Sequence, residues 1–298
     1  MATWASCSER WRPSIRPISW PSSPNRTEND PVFRVDRSPA KIDRLDARLL
    51  LQYATGCSHT DLLARPETPV IAPAYTQFLE WVERRAAGEP LAYLVGEAEF
   101  RGRVFQVSPD VLIPRPETEV LIELALKKLH GVAAPRILDL GTGSGIVAIS
   151  LALECPTAQI TAVDLSFEAI SVARNNAGRL GATVDFRQSD WFENLAGETF
   201  DLIVSNPPYV ANGDPHLELN GLPFEPQMAL TDGADGLNCI RRIVAGAAAH
   251  LTPAGWLLFE HGYDQGEASR NLLTTAAFKA AFTHPDLAGI DRVSGAYL

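Results

Sequence analysis

The stretch that decides the fold is RILDLGTGSGIVAISLA, residues 136–152. It opens with an apolar run typical of a buried strand, passes through a glycine-rich turn, and continues into a run that suits a helix. Glycine lets the backbone approach a ligand closely, and the first turn of a helix offers free N–H groups. The stretch therefore predicts a strand–turn–helix unit with a ligand at the turn.

The spacing of the glycines indicates which ligand the turn binds. Gly141, Gly143 and Gly145 form GxGxG, and Ile146 stands where the last glycine of the dinucleotide pattern GxGxxG would fall. A cofactor other than a dinucleotide is therefore expected, although the glycines alone also fit a tight turn with a structural role. If the turn binds a cofactor, the contacting residues are Gly141, Thr142, Gly143, Ser144 and Gly145.

Strand-like and helix-like segments alternate on both sides of this unit. A helix is expected from PETEVLIELALKKLHG, and others begin near Gly145, Ser166, Asp235 and Gly266. Alternation with nearly continuous apolar strands predicts an α/β fold, a parallel sheet covered by helices on both faces, with ligands at the carboxyl ends of the strands. The predicted strands are residues 136–141, 159–165, 183–189, 200–208 and 255–262.

Two further strands end in residues that suit a cofactor. Asp164 closes the second strand, where a carboxylate can accept hydrogen bonds from both hydroxyls of a ribose. Asp164 could instead cap the next helix, but Ser166 is better placed to do so. Asp190 and Trp191 follow the third strand, and we expect Asp190 to accept from an adenine amino group while Trp191 packs near the ring.

The fourth strand opens onto Asn206, Pro207, Pro208 and Tyr209. Two prolines fit a simple turn, but a turn requires neither the asparagine nor the tyrosine. The tetrapeptide resembles the (Asn/Asp)-Pro-Pro-(Tyr/Phe) motif of amide and amino methyltransferases. By that resemblance the Asn206 oxygen and the Pro207 carbonyl accept from the two N–H groups of a planar nitrogen, whose lone pair then faces a methyl donor. Tyr209 would stack on the planar group.

The amino-terminal part of the chain differs in composition. Residues 1–38 are rich in proline, serine and arginine without apolar periodicity, and we interpret them as a disordered or mis-assigned extension. Residues 41–56 and 75–88 suit two helices, and residues 97–113 suit short β pieces that form a connecting hairpin. The apolar stripes predicted for the two helices are Ile42, Leu45, Leu49 and Tyr53, then Tyr75, Phe78, Leu79 and Val82.

Composition limits the possible partners. The 298 residues carry a net charge of −10, which disfavours a binder of duplex DNA, since such proteins gain affinity from basic residues on phosphates. The four cysteines and six histidines are scattered, so we expect no metal site and a reducing, cytoplasmic location. No apolar run is long enough to span a membrane.

Six segments in this order resemble the HemK/PrmC family, whose members methylate the glutamine of the Gly-Gly-Gln loop in class I peptide release factors. The segments are GEPLAYLVGEAEFRG, VLIPRPETE, LDLGTGSG, SNPPYV, FEPQMALTDGADGL and DLAGIDRV. The resemblance implies a class I, Rossmann-like fold, S-adenosylmethionine as cofactor and a class I release factor as protein partner. It also implies that Asn206 contacts the cofactor as well as the glutamine, and that Phe100 and Arg115 border the substrate pocket.

The resemblance further implies a domain order: an extension over 1–38, a helical release-factor-binding domain over 39–96, a hairpin linker over 97–116 and a methyltransferase domain over 117–298. Three features depart from the family pattern. Residues 1–38 have no counterpart, an acidic residue expected shortly before Phe224 is missing, and His261 stands where an apolar residue is commoner.

Three alternatives stay open at the level of sequence. They are a methyltransferase acting on adenine in DNA, a ribosomal-protein glutamine methyltransferase, and a non-catalytic scaffold that assists translation factors. The first would need a basic recognition domain, and VLIPRPETE disfavours the second. A scaffold would tolerate damaged motifs. We expect a monomer that binds neither nucleic acid stably nor a membrane.

Overall fold

The computed structural model describes residues 42–65 and 69–298. The prediction for residues 1–38 lies outside these ranges. The chain divides into two compact units, one ending at Glu97 and the other running from Ala98 to Leu298.

The first unit is helical. It contains α1 (Arg44–Thr55), α2 (His59–Ala64), α3 (Ala72–Ala86) and α4 (Leu91–Val95). Helix α1 begins after Asp43, whose carboxylate accepts from the backbone N–H of Leu45, and it ends at Gly56 in the left-handed conformation. The core of this helical unit is formed by Leu50, Leu51, Val70, Phe78, Val82 and Leu94.

The helix α1 was predicted correctly, but its buried face was not. The buried apolar residues are Ala47, Leu50 and Leu51, whereas Leu45 is 58% exposed. A run of three leucines covers about 200° of a helix at 100° per residue, so the sequence leaves the centre of the apolar stripe uncertain by one position. In α3 the same kind of error affects Leu79, which is 41% exposed.

A two-stranded hairpin begins at Glu97, the last residue of the first unit, and otherwise belongs to the second unit. It consists of β1 (Glu97–Phe100) and β2 (Arg103–Gln106), which confirms the predicted hairpin. Residues 111–113, predicted as a further β piece, form no strand; they lead through an irregular segment to α5 (Thr118–Lys128). That segment contains Pro114 and Pro116, which remove backbone donors that a strand would need.

A seven-stranded sheet forms the centre of this unit, in the order β5-β4-β3-β6-β7-β9-β8. Neighbouring strands from β5 to β7 are parallel, and β9 is antiparallel to both β7 and β8. The elements are β3 (Arg136–Leu140), α6 (Ile146–Glu154), β4 (Gln159–Asp164), α7 (Phe167–Leu180), β5 (Asp185–Gln188), β6 (Phe200–Ser205), α8 (Gln227–Leu230), α9 (Asn238–Ala247), β7 (Leu251–Glu260), α10 (Gly266–Thr275), β8 (Lys279–Pro285) and β9 (Asp291–Tyr297).

Helices cover both faces of the sheet, as predicted. In β3, Ile137 packs on one side with residues of α5, α6 and α7, and Leu138 packs on the other with residues of α9 and α10. This alternation is the two-residue period of a strand buried on both faces. The arrangement brings the carboxyl ends of β3, β4, β6 and β7 to one edge of the sheet.

The strands β8 and β9 were missed by the sequence prediction. Their sequences, KAAFTHP and DRVSGAY, mix small, polar and apolar residues without a clear period. Most of β8 is exposed or half-buried because it is an edge strand. Within residues 42–65 and 69–298, no helix is both long and apolar enough to cross a membrane.

Candidate active site

A cavity of about 290 Å³ opens at the carboxyl edge of the sheet. We refer to it as the first cavity. Its wall brings together residues that follow β3, β4, β5 and β6, which are far apart in sequence. The members predicted from sequence are Gly141, Thr142, Gly143, Ser144, Asp164, Asp190, Trp191, Asn206, Pro208 and Arg115.

A second cavity, of about 310 Å³, lies next to the first. The two cavities share Leu112, Arg115, Asn206 and Ala229, and the second is also lined by Pro207 and Tyr209. Asn206 therefore stands where the two cavities meet. A residue in this position can contact two ligands at once, one on each side.

Two predicted site residues lie elsewhere. Gly145 sits behind the lining as the left-handed N-cap of α6, where a Cβ would meet the Ile149 side chain at 2.8 Å and Ala173 Cβ at 3.1 Å. Phe100 is 3% exposed and packs edge-on against Phe105, with ring centroids 6.3 Å apart. Phe100 thus belongs to the core and does not border the pocket as expected, because β1 turns its side chain inward.

Asp139 supports the glycine turn from beneath. Its Oδ2 accepts from the Thr142 hydroxyl at 2.7 Å and from the backbone N–H of Ala148 at 3.2 Å. The side chain is 1% exposed, and this burial raises the pKa of Asp139 from its ordinary 3.8 to about 7 despite the two donors. Asp139 is also one of the residues that line the first cavity. The sequence prediction gave Asp139 no role in the site.

The raised pKa of Asp139 predicts that its replacement changes how stability depends on pH. Between pH 4 and 7 the folded chain holds a proton that the unfolded chain releases, so wild-type stability falls as the pH rises through this range. An asparagine introduced there cannot titrate, and its side-chain oxygen can accept both bonds. Asp139→Asn should therefore gain about 2 kcal/mol relative to wild type between pH 5.5 and 8, measured by urea unfolding without cofactor. An unchanged difference between the two proteins would contradict this.

Asp164 is held by backbone donors. Its Oδ2 accepts from Gly143 N at 2.8 Å and its Oδ1 from Ser166 N at 2.9 Å. Each carboxylate oxygen has a second lone pair, so both can still accept from a ligand in the first cavity. Burial raises the pKa of Asp164 against these donors. Ser166 is the side-chain N-cap of α7, accepting from Ala169 N at 3.0 Å, as predicted.

The segment after β5 is strained at Trp191. Its φ is +50°, a left-handed conformation that costs a bulky residue on the order of 1–3 kcal/mol. This turn brings the Trp191 ring over the glycine turn, 4.0 Å from where a Cβ of Gly141 would lie. Asp190 carries an ion pair with Arg242, 2.9 Å between Oδ2 and Nη2, and both residues line the first cavity. Strain that places an aromatic ring against a cavity is typical of a ligand site.

A chain of hydrogen bonds holds Asn206 from behind. Asn206 Nδ2 donates to the Thr118 hydroxyl at 3.1 Å, and that hydroxyl donates to Glu260 Oε2 at 2.7 Å. The Tyr209 hydroxyl donates to Glu260 Oε1 at 3.1 Å. Burial raises the pKa of Tyr209, so its hydroxyl keeps its proton. These bonds orient the Asn206 amide and the Tyr209 ring.

The backbone of the loop at Tyr209 is held by the side chain of Gln265 and packs against Gly236. Gln265 Nε2 donates to the Tyr209 carbonyl at 2.9 Å and to the Gly236 carbonyl at 3.2 Å. Gly236 has φ +83°, and a Cβ there would lie 2.5 Å from the Tyr209 carbonyl oxygen. Only glycine leaves room for this contact.

Replacing Gly236 should therefore displace the loop. Gly233 provides a matched control in the same turn, because it has φ +72° and a Cβ there would meet nothing within 4 Å. Both alanine variants carry the left-handed strain, but only Gly236→Ala adds a clash with backbone. We expect Gly236→Ala to lower the free energy of unfolding by about 1–3 kcal/mol more than Gly233→Ala does. Equal losses in urea unfolding would show that the Tyr209 contact is not close-packed.

Besides Asp139, three residues of the site were missed by the sequence prediction. Thr118 and Glu260 are described above, and the third is Glu225, which binds the Arg115 guanidinium at 2.5 Å and the Ile113 backbone N–H at 3.0 Å. The Glu225 residue is only 4% exposed, so it joins the loop after Tyr209 to the segment before α5. The signal available in the sequence was the acidic residue inside FEPQMAL, which stands just after Phe224 rather than before it.

Comparisons with known proteins agree with this architecture. Residues 117–220 match the methyltransferase small domain, and residues 38–96 match the PrmC N-terminal domain. A solved methyltransferase from Pyrococcus furiosus superposes with a TM-score of 0.50 at 17% identity, over 73% of this chain and 97% of that one. At that identity the likeness concerns the fold alone.

Curated relatives are much more similar in sequence. A release factor glutamine methyltransferase of Bordetella pertussis is 51% identical over 86% of this chain and 96% of its own length. One of Burkholderia pseudomallei is 49% identical over 92% of this chain and 99% of its own. Identity at this level extends through both units and nearly the full length of the relatives. The chain belongs to the release factor glutamine methyltransferase family.

Proposed function

We propose that this chain transfers a methyl group from S-adenosylmethionine to the side-chain amide nitrogen of the glutamine in the Gly-Gly-Gln motif of class I peptide release factors. The observation that carries the proposal is the position of Asn206, at the junction of a cavity lined by the glycine turn and a second one lined by Pro207 and Tyr209. Methyl transfer needs a donor and an acceptor that meet at one point.

The first cavity fits S-adenosylmethionine by the chemistry of its wall. That cofactor offers hydrogen-bond donors at its ammonium group, its ribose hydroxyls and its adenine amino group. The wall offers acceptors at Asp139, Asp164 and Asp190, with Trp191 beside them. We assign the ribose to Asp164, the adenine amino group to Asp190 and the ammonium end to the turn at Gly141–Ser144 with Asp139. When bound, S-adenosylmethionine supplies an electrophilic methyl group on a sulfonium.

The residues at the second cavity suit a planar amide. An amide nitrogen is a weak nucleophile because its lone pair is delocalised, so orientation has a large effect on its reactivity. We propose that the Asn206 side-chain oxygen and the Pro207 carbonyl each accept one N–H of the glutamine amide. Tyr209 would cover the face of the amide and exclude water. A dry, apolar surrounding favours attack by a neutral group on a cation, since charge is dispersed in the transition state.

The experiment that tests the function compares three acceptors. Purified full-length protein is incubated with labelled S-adenosylmethionine and a class I release factor, duplex DNA or ribosomal protein. We expect label on the release factor and none when its Gly-Gly-Gln glutamine is replaced by alanine. Label on adenine in DNA would support the alternative of a DNA adenine methyltransferase, which uses the same Asn-Pro-Pro-Tyr motif. Label on ribosomal protein would support the alternative of a ribosomal-protein glutamine methyltransferase.

The proposed substrate carries further expectations. Release factors act on cytoplasmic ribosomes, so we propose a cytoplasmic enzyme whose protein partner is the release factor. The helical unit, which matches the PrmC N-terminal domain, is the proposed binding domain for that partner. A monomeric state stays a prediction, to be checked by sedimentation.

A further inference from the structure

The amide of Asn206 could face the second cavity with either end. Its oxygen accepts hydrogen bonds and its nitrogen donates them, and the two orientations differ by a half-turn about one bond. Only the oxygen can bind the N–H groups of a substrate amide. A donor at the same place would instead favour a carboxylate. The choice of end therefore affects which side chain the site accepts.

The sheet register places Asn206 beside Glu260. Ser205 of β6 pairs with Phe259 of β7, so the residues that follow them, Asn206 and Glu260, lie side by side at the carboxyl edge. Residues two positions earlier, Val204 and Leu258, both face the core formed with α5. Side chains repeat every two residues along a strand, so Asn206 and Glu260 are directed to that same face.

Helix α5 supplies the residue between them. Thr118 is its first residue and is fully buried, with its hydroxyl 2.7 Å from Glu260 Oε2 and 3.1 Å from Asn206 Nδ2. A threonine hydroxyl has a single hydrogen. An ionised carboxylate has none, so Thr118 must donate its hydrogen to Glu260. Only lone pairs of Thr118 then remain for Asn206, which must present its NH₂ to Thr118 and its oxygen to the opposite side.

We propose that Glu260 and Thr118 are positioning residues that fix the Asn206 amide with its oxygen toward the second cavity, so that the site takes a glutamine side chain and rejects a glutamate. This inference rests on the proposed function. Neither residue needs to touch the substrate. Glu260 determines that Thr118 donates to it, and Thr118 in turn determines that Asn206 donates its NH₂ to Thr118. The Tyr209 hydroxyl occupies the other carboxylate oxygen and holds Glu260 in place.

The proposed role requires that Glu260 is ionised, and this depends on its pKa. Burial raises the pKa of Glu260 and nearby Glu117 adds to the rise, while the donors Thr118 and Tyr209 and the cationic Arg292 oppose it. The resulting pKa is about 7. At pH 8 the group is mainly ionised and both its oxygens accept. The experiments below are therefore run at pH 8.

Three variants of the full-length protein separate positioning from packing. Thr118→Val keeps the side-chain volume and removes the hydroxyl. Thr118→Ser keeps the hydroxyl and removes a methyl group. Glu260→Met removes the acceptor, so the Thr118 hydroxyl becomes free to donate to the Asn206 oxygen and to reverse the amide. Each variant is tested for single-turnover methylation, for cofactor affinity, and for binding of a release factor with Gly-Gly-Gln or Gly-Gly-Glu, with S-adenosylhomocysteine present.

We expect Thr118→Ser to behave like wild type in all three measurements. Thr118→Val and Glu260→Met should methylate about tenfold or more slowly with cofactor affinity nearly unchanged, because a misaligned amide affects the transition state more than cofactor binding. Both should narrow the preference for the glutamine form over the glutamate form by roughly tenfold, the worth of one oriented hydrogen bond. The Thr118→Val result is decisive, since that variant removes no titratable group.

Two outcomes would overturn the inference. Wild-type rate and preference in Thr118→Val would show that the amide is fixed by other means. Equal losses in Thr118→Ser and Thr118→Val would assign the effect to packing. Failure of the proposed function is a different result, because the wild-type protein itself would then leave the glutamine unmodified.

Discussion

Asn206→Ala should slow single-turnover methyl transfer on the order of a hundredfold or more. Alanine removes the acceptor at the junction of the two cavities, so the substrate amide is free to rotate and its lone pair leaves the line of attack. Cofactor affinity should fall much less, because Asp164 and the glycine turn remain. The measurement is rapid-quench methylation of a release factor, paired with cofactor titration of the same protein samples.

Asn206→Asp is the informative companion. It keeps an acceptor toward the second cavity, but its other oxygen faces the Thr118 hydroxyl, whose single hydrogen is already donated to Glu260. The added charge also stabilises a bound cation before transfer, which raises the barrier. We expect slower transfer with cofactor affinity equal to or higher than that of wild type. A near wild-type rate for Asn206→Ala would refute the proposed contact with the amide.

Asp164→Ala should remove most of the stabilisation that S-adenosylmethionine gives. A ligand that binds only the folded state raises the melting temperature, and the size of the rise reports its affinity. Asp164 lines the first cavity and has lone pairs left for a ribose. Alanine also removes two bonds to backbone N–H groups, so the apo protein itself should melt earlier. The quantity to compare is the shift caused by cofactor.

Asp164→Asn serves as the matched control. It retains the shape of the side chain and one acceptor oxygen, so its shift should lie between those of wild type and Asp164→Ala. A full wild-type shift in Asp164→Ala would remove Asp164 from the ribose role and leave it as a structural support of the turn at Gly143.

Local patterns predicted much of this fold because each element near the site carries its own signal. The glycine turn, the carboxylate ending β4 and the residues after β6 follow apolar strands, so their places at one edge of the sheet could be predicted from Gly141, Asp164 and Asn206. Element starts were predicted where a cap was visible, as at Ser166. The capping box of Ser58 and Asp61 before α2 was visible too, but that helix is short and was overlooked.

Most of the sequence predictions that failed concern contacts between residues that are distant in sequence. Thr118 and Glu260 are 142 residues apart, and nothing in either neighbourhood indicates that they share a hydrogen bond. Phe100 was placed at the pocket by resemblance, but it is 3% exposed and packs in the core against Phe105, which follows it on the other strand of the hairpin. The face of α1 was misjudged because three consecutive leucines give no single stripe.

We propose that the glutamine side chain of Gly-Gly-Gln is methylated at the junction of the two cavities, where Asn206 stands. The most direct measurement is tandem mass spectrometry of a class I release factor after incubation with the purified protein and S-adenosylmethionine. We predict one added methyl group on the side-chain nitrogen of that glutamine with wild-type protein, and an unmodified glutamine with Asn206→Ala over the same time. A methyl group on another residue would contradict this proposal. An unmodified glutamine with folded, cofactor-binding wild-type protein would contradict it too.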